Sequence, residues 1–200
     1  MRLTTLQNST SPRRAVTYRL LPGGQLGLTM VELMVVIAIA AILLGIAAPS
    51  LSALVNKTQL NSAAGLLAND LNLARSEAVK RNVRMLVCPA NATGTDFQTS
   101  SPSWTTGWLV CIDANSDGAC DASTSAAPNP LMIRPALASN LTLSALDTSS
   151  TPAAVTQVRF NPNGRQGAGT LSVNITMGGT WSGAVAKTIA VSNTGNVSIH

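Results

Sequence analysis

The sequence has few of the side chains from which most active sites are built. Histidine occurs once in 200 residues, as His200, so histidine-dependent acid–base catalysis and histidine metal centres are not expected. The sequence contains neither a glycine-rich phosphate loop after a predicted strand nor a nucleophile elbow. We therefore predict that the chain is not an enzyme and that it uses no cofactor, with calcium as the one open case.

Charged and aromatic residues are also scarce, at 10% and 3% of the chain. A core must therefore rest on Val, Leu, Ile and Ala, with three tryptophans as anchors. The formal net charge is +5, but four of the 13 Lys and Arg residues lie in residues 1–27, which contain no acidic residue. This distribution is typical of a cytoplasmic leader that precedes a membrane span.

One long apolar run predicts the topology. Residues 28–48 contain a single charged residue, Glu32, and as a helix rising about 1.5 Å per residue they would cross a bilayer core about 30 Å thick. A secretory signal peptide cleaved near residue 48 is the alternative, although its apolar region would be shorter. A charge costs about 2.5–3.5 kcal/mol at the centre of a membrane helix, which indicates that Glu32 has a partner.

Residues 27–39 read GLTMVELMVVIAI, and this segment resembles the class III signal of type IV prepilins. The resemblance implies that a prepilin peptidase cuts between Gly27 and Leu28, removes residues 1–27 and methylates the new N-terminus at Leu28. It also implies an assembly role for Glu32 and a helix kink at Pro49. The freed amine, or that of a neighbouring subunit, would pair with Glu32 and offset the desolvation of both groups. The alternative is that Glu32 lies unpaired at the headgroup level.

Beyond the apolar run, apolar residues recur every three or four positions from Leu51 to Ala78, with Asp70 among the polar residues of the other faces. This pattern predicts one long, bent helix over residues 28–82, transmembrane over residues 28–48. Over residues 83–200, short apolar runs separated by polar, turn-rich segments predict a β domain of short strands between polar loops. The strands are expected at residues 83–89, 107–114, 131–134, 141–146, 155–161, 171–177, 187–191 and 197–199. The predicted fold class is α+β, a long N-terminal helix followed by an antiparallel β-sheet or sandwich domain.

Four further segments resemble the GspH/FimT group of minor pilins and pseudopilins. They are DLNLARSEA at residues 70–78, RMLVC at 84–88, WTTGWLVCIDAN at 104–115 and FNPNGR at 160–165. The resemblance implies a structural subunit of a type IV pilus or type II secretion filament, assembled through its N-terminal helix. The implied partners are the prepilin peptidase, other pilins and the inner-membrane assembly platform. The implied location is the bacterial inner membrane, single-pass with a periplasmic C-terminal domain, and then the filament.

Two other functions stay open, a DNA-binding minor pilin for natural transformation and a membrane-anchored periplasmic domain without a filament role. The DNA-binding branch carries a Gly-Arg-x-Arg element near its C-terminus, where this chain has GNVS at residues 195–198. Arg165 can contact one phosphate, but phosphate binding requires several clustered cations. We predict that DNA binding is weak or absent.

An Asp-rich segment is the candidate for calcium. Asp113, Asn115, Asp117 and Asp121 fall at positions 1, 3, 5 and 9 of a calcium loop, with glycine at position 6. Position 12 is a threonine instead of the usual bidentate glutamate. Because the same residue types also form ordinary turns, a plain loop and a calcium site of about millimolar affinity both stay open.

Three cysteines would reach an oxidising compartment in this topology, which allows one intramolecular disulfide at most. The sequence favours Cys111–Cys120, which would close the Asp-rich loop. Cys88–Cys111, across neighbouring strands, is the alternative. A third interpretation is that all three are small buried apolar residues.

Overall fold

The computed structural model describes residues 27, 29–91, 103–121, 129–167 and 171–200, and for residues 46–49 only the helical backbone. The expected leader, apart from Gly27, lies outside the described residues, as does Leu28. The chain divides into two compact units, Met1–Leu44 and Gly45–His200. Helix α1, Met30–Arg81, contributes residues to both.

In the first unit, the described secondary structure is the N-terminal part of α1. The Thr29 hydroxyl accepts a hydrogen bond from the backbone N–H of Glu32 at 3.2 Å, so Thr29 is the N-cap of the helix. Residues 30–44 are all exposed, and α1 is long and apolar enough to cross a membrane. An apolar surface around the whole helix is typical of a membrane span.

In the second unit, α1 buries one face in the main core. The buried positions repeat at intervals of three and four residues, as one helical face requires: Leu60, Ala64, Leu67, Leu71, Ala74 and Ala78. The predicted start of this face at Leu51 is wrong, because Leu51 and Leu54 are 62% and 61% exposed. The buried face begins about two and a half turns later, at Leu60.

Helix α1 ends where Asn82 adopts a positive φ of 54°. The N–H of Val83 then donates to the carbonyl of Ala78 at 3.2 Å, which is the hydrogen bond of a Schellman cap. The helix therefore stops at Arg81, one residue before the predicted end, and the chain turns directly into the first strand.

Among the described residues after α1, eight strands form two antiparallel sheets of four strands each. They are β1 (Arg84–Pro89), β2 (Trp108–Asp113), β3 (Met132–Arg134), β4 (Leu141–Asp147), β5 (Val158–Phe160), β6 (Val173–Gly179), β7 (Lys187–Val191) and β8 (Val197–Ile199). The first sheet has the order β3-β2-β1-β5 and the second the order β4-β6-β7-β8. Each predicted strand overlaps an observed one, and the predicted α+β class is confirmed.

Alternate residues of β1 and β2 point into two different cores. Met85 and Val87 pack in the main core, together with residues of α1 and of the second sheet. Leu86 and Cys88 lie on the other face, in a smaller cluster with Leu109 and Cys111 of β2 and with Ala90. Since strand side chains alternate between the two faces, the centre of the first sheet is buried on both sides.

Candidate functional site

Two of the residues predicted to act in processing and assembly, Gly27 and Glu32, lie near the start of α1. Glu32 is exposed in the first turn, close to the positive end of the helix dipole, and Thr29-x-x-Glu32 has the spacing of a capping box. A Cβ on Gly27 would meet no described atom within 4 Å. Packing among the described residues therefore gives no reason for glycine at this position, and its role in processing stays a prediction. Pro49 lies inside α1, and the helix continues through it.

Asp70 is a buried carboxylate that ties α1 to β2 and β3. Its Oδ2 accepts hydrogen bonds from Trp108 Nε1 and Arg134 Nε, both at 2.8 Å, and its Oδ1 accepts from Arg134 Nη2 at 2.9 Å. The hydrogen bond to Asp70 raises the pKa of the Arg134 guanidinium. The expectation that Asp70 lies on a polar face, away from the apolar one, is wrong, because Asp70 is 2% exposed. An acid between the apolar positions Leu67 and Leu71 is the signal that sequence analysis missed.

Arg75 joins α1 to two turns of the β region. Its Nε donates to the carbonyl of Gly164 at 3.0 Å and its Nη2 to that of Thr194 at 3.5 Å. Gly164 and Gly195 have positive φ angles of 74° and 82°, and a Cβ on Gly195 would lie 2.0 Å from the Gly164 carbonyl oxygen. The two turns can meet under Arg75 only because glycine occupies that contact. Arg75 and Gly164 thus have structural roles.

Arg165 follows this contact and has an exposed side chain. Its backbone N–H donates to Asn163 Oδ1 at 3.0 Å, and Gly164 N–H donates to the carbonyl of Asn161 at 2.8 Å. Arg165 is therefore the residue that leaves a tight turn, with a guanidinium directed away from the core.

The Asp-rich loop is organised by its own carboxylates and amides. Asp113 is fully buried, and its Oδ2 accepts from Arg84 Nε at 2.7 Å and from Gly118 N–H at 3.1 Å. The other candidate ligands accept loop N–H groups: Asn115 from Asp117, Asp117 from Ala119 and Asp121 from Ala114. Asp113 Oδ1 is buried without a hydrogen-bond partner among the described residues. The calcium site stays a prediction, in which a cation would share Asp113 with Arg84.

The cysteines lie together on the outer face of the first sheet. Cys111 and Cys120 form a disulfide with their Cα atoms 5.5 Å apart, which is the pairing that the sequence favours. Cys88 is buried beside them, and the three sulfur atoms lie within 4.8 Å of one another. The backbone N–H of Asp121 donates to the carbonyl of Ile112 at 2.9 Å. Disulfide and hydrogen bond together close the Asp-rich loop onto β2.

Two protein-family models match the chain. The model described as type II transport protein GspH matches residues 63–195, about two thirds of the chain. The model of the prokaryotic N-terminal methylation motif matches residues 23–48. The first match contains Asp70, Arg75 and Gly195, and the second contains Gly27 and Glu32.

A curated relative matches a smaller part of the chain. The pilin-like protein PilA1 of Thermus thermophilus is 46% identical over 56 residues, which cover 28% of this chain and 35% of PilA1. The chain thus matches about a third of the length of that curated relative.

Solved structures resemble the fold. The crystal structure of the type IV minor pilin FimU of Pseudomonas aeruginosa gives a TM-score of 0.52 at 21% identity, covering 72% of this chain and 90% of FimU. The minor pseudopilin EpsH from the type 2 secretion system of Vibrio cholerae gives a TM-score of 0.47 at 10% identity, covering 71% and 96%. At its level of identity, the FimU comparison shows a shared fold.

Proposed function

Because the chain belongs to the type II transport protein GspH family, we propose that it is a minor pilin or pseudopilin, a structural subunit of a type IV pilus or type II secretion filament. The observation that carries this proposal is an apolar helix exposed on all sides over residues 30–44, followed by a compact unit with its own core. Such a helix suits lipid before assembly and the helices of other subunits afterwards.

Before assembly, the proposed location of the subunit is the bacterial inner membrane, with a cytoplasmic leader and a periplasmic C-terminal domain. Arginines and the lack of acids in residues 1–27 support this orientation. The methylation motif supports cleavage by a prepilin peptidase between Gly27 and Leu28, methylation at Leu28, and assembly with other pilins. The inner-membrane assembly platform is the third proposed partner. The same features support a structural role in place of an enzymatic one.

Glu32 is the residue that we assign to assembly. Its carboxylate is exposed in the first turn of an apolar helix, and an N-terminal amine at Leu28 would lie four residues before it along the chain. In apolar surroundings, each charge stabilises the other and offsets the desolvation of both. The pair forms within one subunit or between neighbours, and the second case would guide the helix into the filament.

Replacement of Glu32 by alanine tests this function. We expect Glu32→Ala to be cleaved and inserted normally, because removal of a charge eases insertion. Its recovery in sheared filament fractions should fall at least about tenfold, since breaking a buried ion pair costs about 3–5 kcal/mol. Immunoblots of membrane and sheared fractions give both quantities.

Thr29→Ala is the matched control, because it removes the N-cap hydroxyl but keeps Glu32. If Glu32 served only the start of the helix, the two variants would lose filament incorporation alike; we expect Thr29→Ala to stay near wild type. Equal recovery of wild type and Glu32→Ala in the filaments would contradict the pairing. Wild-type protein found only in membranes would favour an anchored domain without a filament role.

A further inference from the structure

A groove of about 350 Å³ lies in the second unit, between α1 and the hairpin that joins β6 to β7. Leu60, Trp181 and Val185 form much of its apolar lining, and Lys57 and Lys187 supply two cations. The described lining residues include no Asp or Glu. The groove is therefore apolar and positively charged, which suits an amphipathic anion.

The hairpin side of the groove is open to the surroundings. Val185 is 75% exposed, although it is a large aliphatic residue. The Trp181 ring packs on the backbone of Gly179, where a Cβ would lie 1.9 Å from the ring, and the half-buried ring lines the groove. Tryptophan, lysine and exposed aliphatic side chains together are typical of protein surfaces at a membrane interface.

The groove also lies close to the predicted membrane span along the chain. Lys57 follows Ala48 by nine residues, about 13 Å along a helix. The headgroup layer adds about 5–7 Å to the hydrocarbon core on each side, and lysine side chains extend toward it. With a Debye length of about 8 Å at physiological salt, Lys57 is within electrostatic reach of the headgroups.

We propose that this groove holds the headgroup of an anionic phospholipid while the subunit is in the membrane. The phosphate would lie near Lys57 and Lys187, and the carbons of the headgroup and glycerol against Trp181 and Val185. This inference rests on the membrane anchoring proposed above. Anchoring favours lipid as the occupant, because the membrane helix keeps lipid headgroups at high effective concentration beside every subunit. A weak affinity of the groove for the headgroup is then enough to fill it. An acidic segment of a neighbouring subunit is the rival occupant.

Tryptophan fluorescence of the full chain tests the site. Trp104 and Trp108 are 2% and 1% exposed, so quenching by headgroup spin-labelled lipid reports mainly on Trp181. The chain is reconstituted in vesicles of phosphatidylcholine, with or without about one third phosphatidylglycerol. We expect at least about twofold stronger quenching with phosphatidylglycerol, and loss of this difference at about 1 M salt, where the Debye length is about 3 Å.

Charge-reversal variants assign the effect to the groove. In the double variant K57E/K187E, Trp181 quenching should be the same in vesicles with and without phosphatidylglycerol. K80E is the matched control, because Lys80 lies on the same helix outside the groove lining and its side chain is 77% exposed; it should keep the difference. The comparison of wild-type protein between vesicles and salt concentrations needs no variant, so a misfolded double variant would still leave the proposal testable.

Several outcomes would overturn the inference. Equal quenching of wild type in the two kinds of vesicle would exclude a preference for anionic lipid. If K80E lost the quenching difference as completely as the double variant, the effect would not belong to the groove. If Trp181 were protected from quenching only when other pilins are reconstituted with the chain, the groove would be assigned to a contact between subunits. A chain that does not float with either vesicle contradicts the anchoring as well, whereas a floating chain with an insensitive Trp181 contradicts the lipid site alone.

Discussion

Glu32 and Asp70 are both carboxylates of α1, but their surroundings differ. Asp70 is 2% exposed and accepts hydrogen bonds from Trp108 and Arg134, whereas Glu32 is exposed at the start of an apolar helix. Asp70 thus stabilises the folded subunit, and Glu32 is available to a partner outside it. A charge in an apolar run is visible in the sequence. The role of Asp70 is not, because its partners lie 38 and 64 residues away.

Asp70→Asn should destabilise the second unit. The substitution removes the charge that balances Arg134, and breaking a buried pair costs about 3–5 kcal/mol. Because the Arg134 side chain keeps 26% exposure, we expect a loss nearer about 2–3 kcal/mol. Denaturant unfolding of the full chain in detergent, followed by tryptophan fluorescence, measures it. Glu77→Gln, in an i,i+4 helix pair with Arg81, whose side chain is 39% exposed, should lose only about 0.3–0.5 kcal/mol. Equal losses in the two variants would refute the role assigned to Asp70.

Gly27→Leu should block cleavage of the precursor. A peptidase needs unobstructed, extended backbone at the scissile bond, and a side chain on Gly27 would meet no described atom of the subunit itself. Loss of cleavage would therefore report on the peptidase and not on misfolding. Immunoblotting should show a precursor larger by the 27-residue leader, and Gly24→Leu, inside the leader, is the control. N-terminal sequencing of wild type that begins after Ala48 would instead establish the signal-peptide alternative.

At the scale of elements, local sequence patterns predict where strands occur, but they do not predict which strands pair with one another. The predicted strand at residues 155–161 is divided in the structure: Val155 N–H donates to the carbonyl of Ala145 at 2.9 Å, beside β4, whereas Val158–Phe160 pairs with β1 in the other sheet. Alternation of apolar residues indicates an extended chain, but it does not say which edge the chain joins. That choice depends on packing against α1 and on residues far away in sequence.

The contact between the turns under Arg75 predicts a difference between two glycines. Gly195 and Gly183 have similar φ angles of 82° and 78°, so alanine at either position costs about 1–2 kcal/mol of backbone strain. Only Gly195→Ala also places a Cβ 2.0 Å from the Gly164 carbonyl oxygen. We expect Gly195→Ala to lose at least about 1 kcal/mol more than Gly183→Ala, as overpacking does. Denaturation midpoints that shift equally would show that the turns separate freely.

The Asp-rich loop predicts weak calcium binding. Asp113 Oδ1 is a buried acceptor without a partner among the described residues, but Arg84 already neutralises this carboxylate, and position 12 lacks the usual glutamate. We therefore expect affinity in roughly the millimolar range, weakened further in Asp117→Asn. Titration calorimetry of the full chain in detergent measures it, with magnesium as the comparison ion. Absence of heat at millimolar calcium would leave the loop as a plain turn closed by its disulfide.

At the scale of the molecule, the basic residues of the β region are few, and two of the five form ion pairs among the described residues. The sequence after α1 contains Arg84, Arg134, Arg159, Arg165 and Lys187 as its only Lys and Arg residues. Arg84 and Arg134 form ion pairs with Asp113 and Asp70. The positive net charge, clear from composition, thus comes mainly from the leader, and only the structure shows that Arg84 and Arg134 are paired within the fold.

This distribution predicts weak DNA binding. Each phosphate contact releases counterions and steepens the salt dependence of affinity, and Arg165, exposed after its turn, supplies one contact at most. We expect binding to duplex DNA no tighter than roughly 10⁻⁴–10⁻⁶ M, with a shallow salt slope. Fluorescence anisotropy of labelled duplex, titrated with the full chain in detergent at several salt concentrations, measures both. Arg165→Ala should change affinity about as little as Lys187→Ala. Tight binding at physiological salt that disappears in Arg165→Ala alone would contradict this prediction and would make a DNA receptor the leading function.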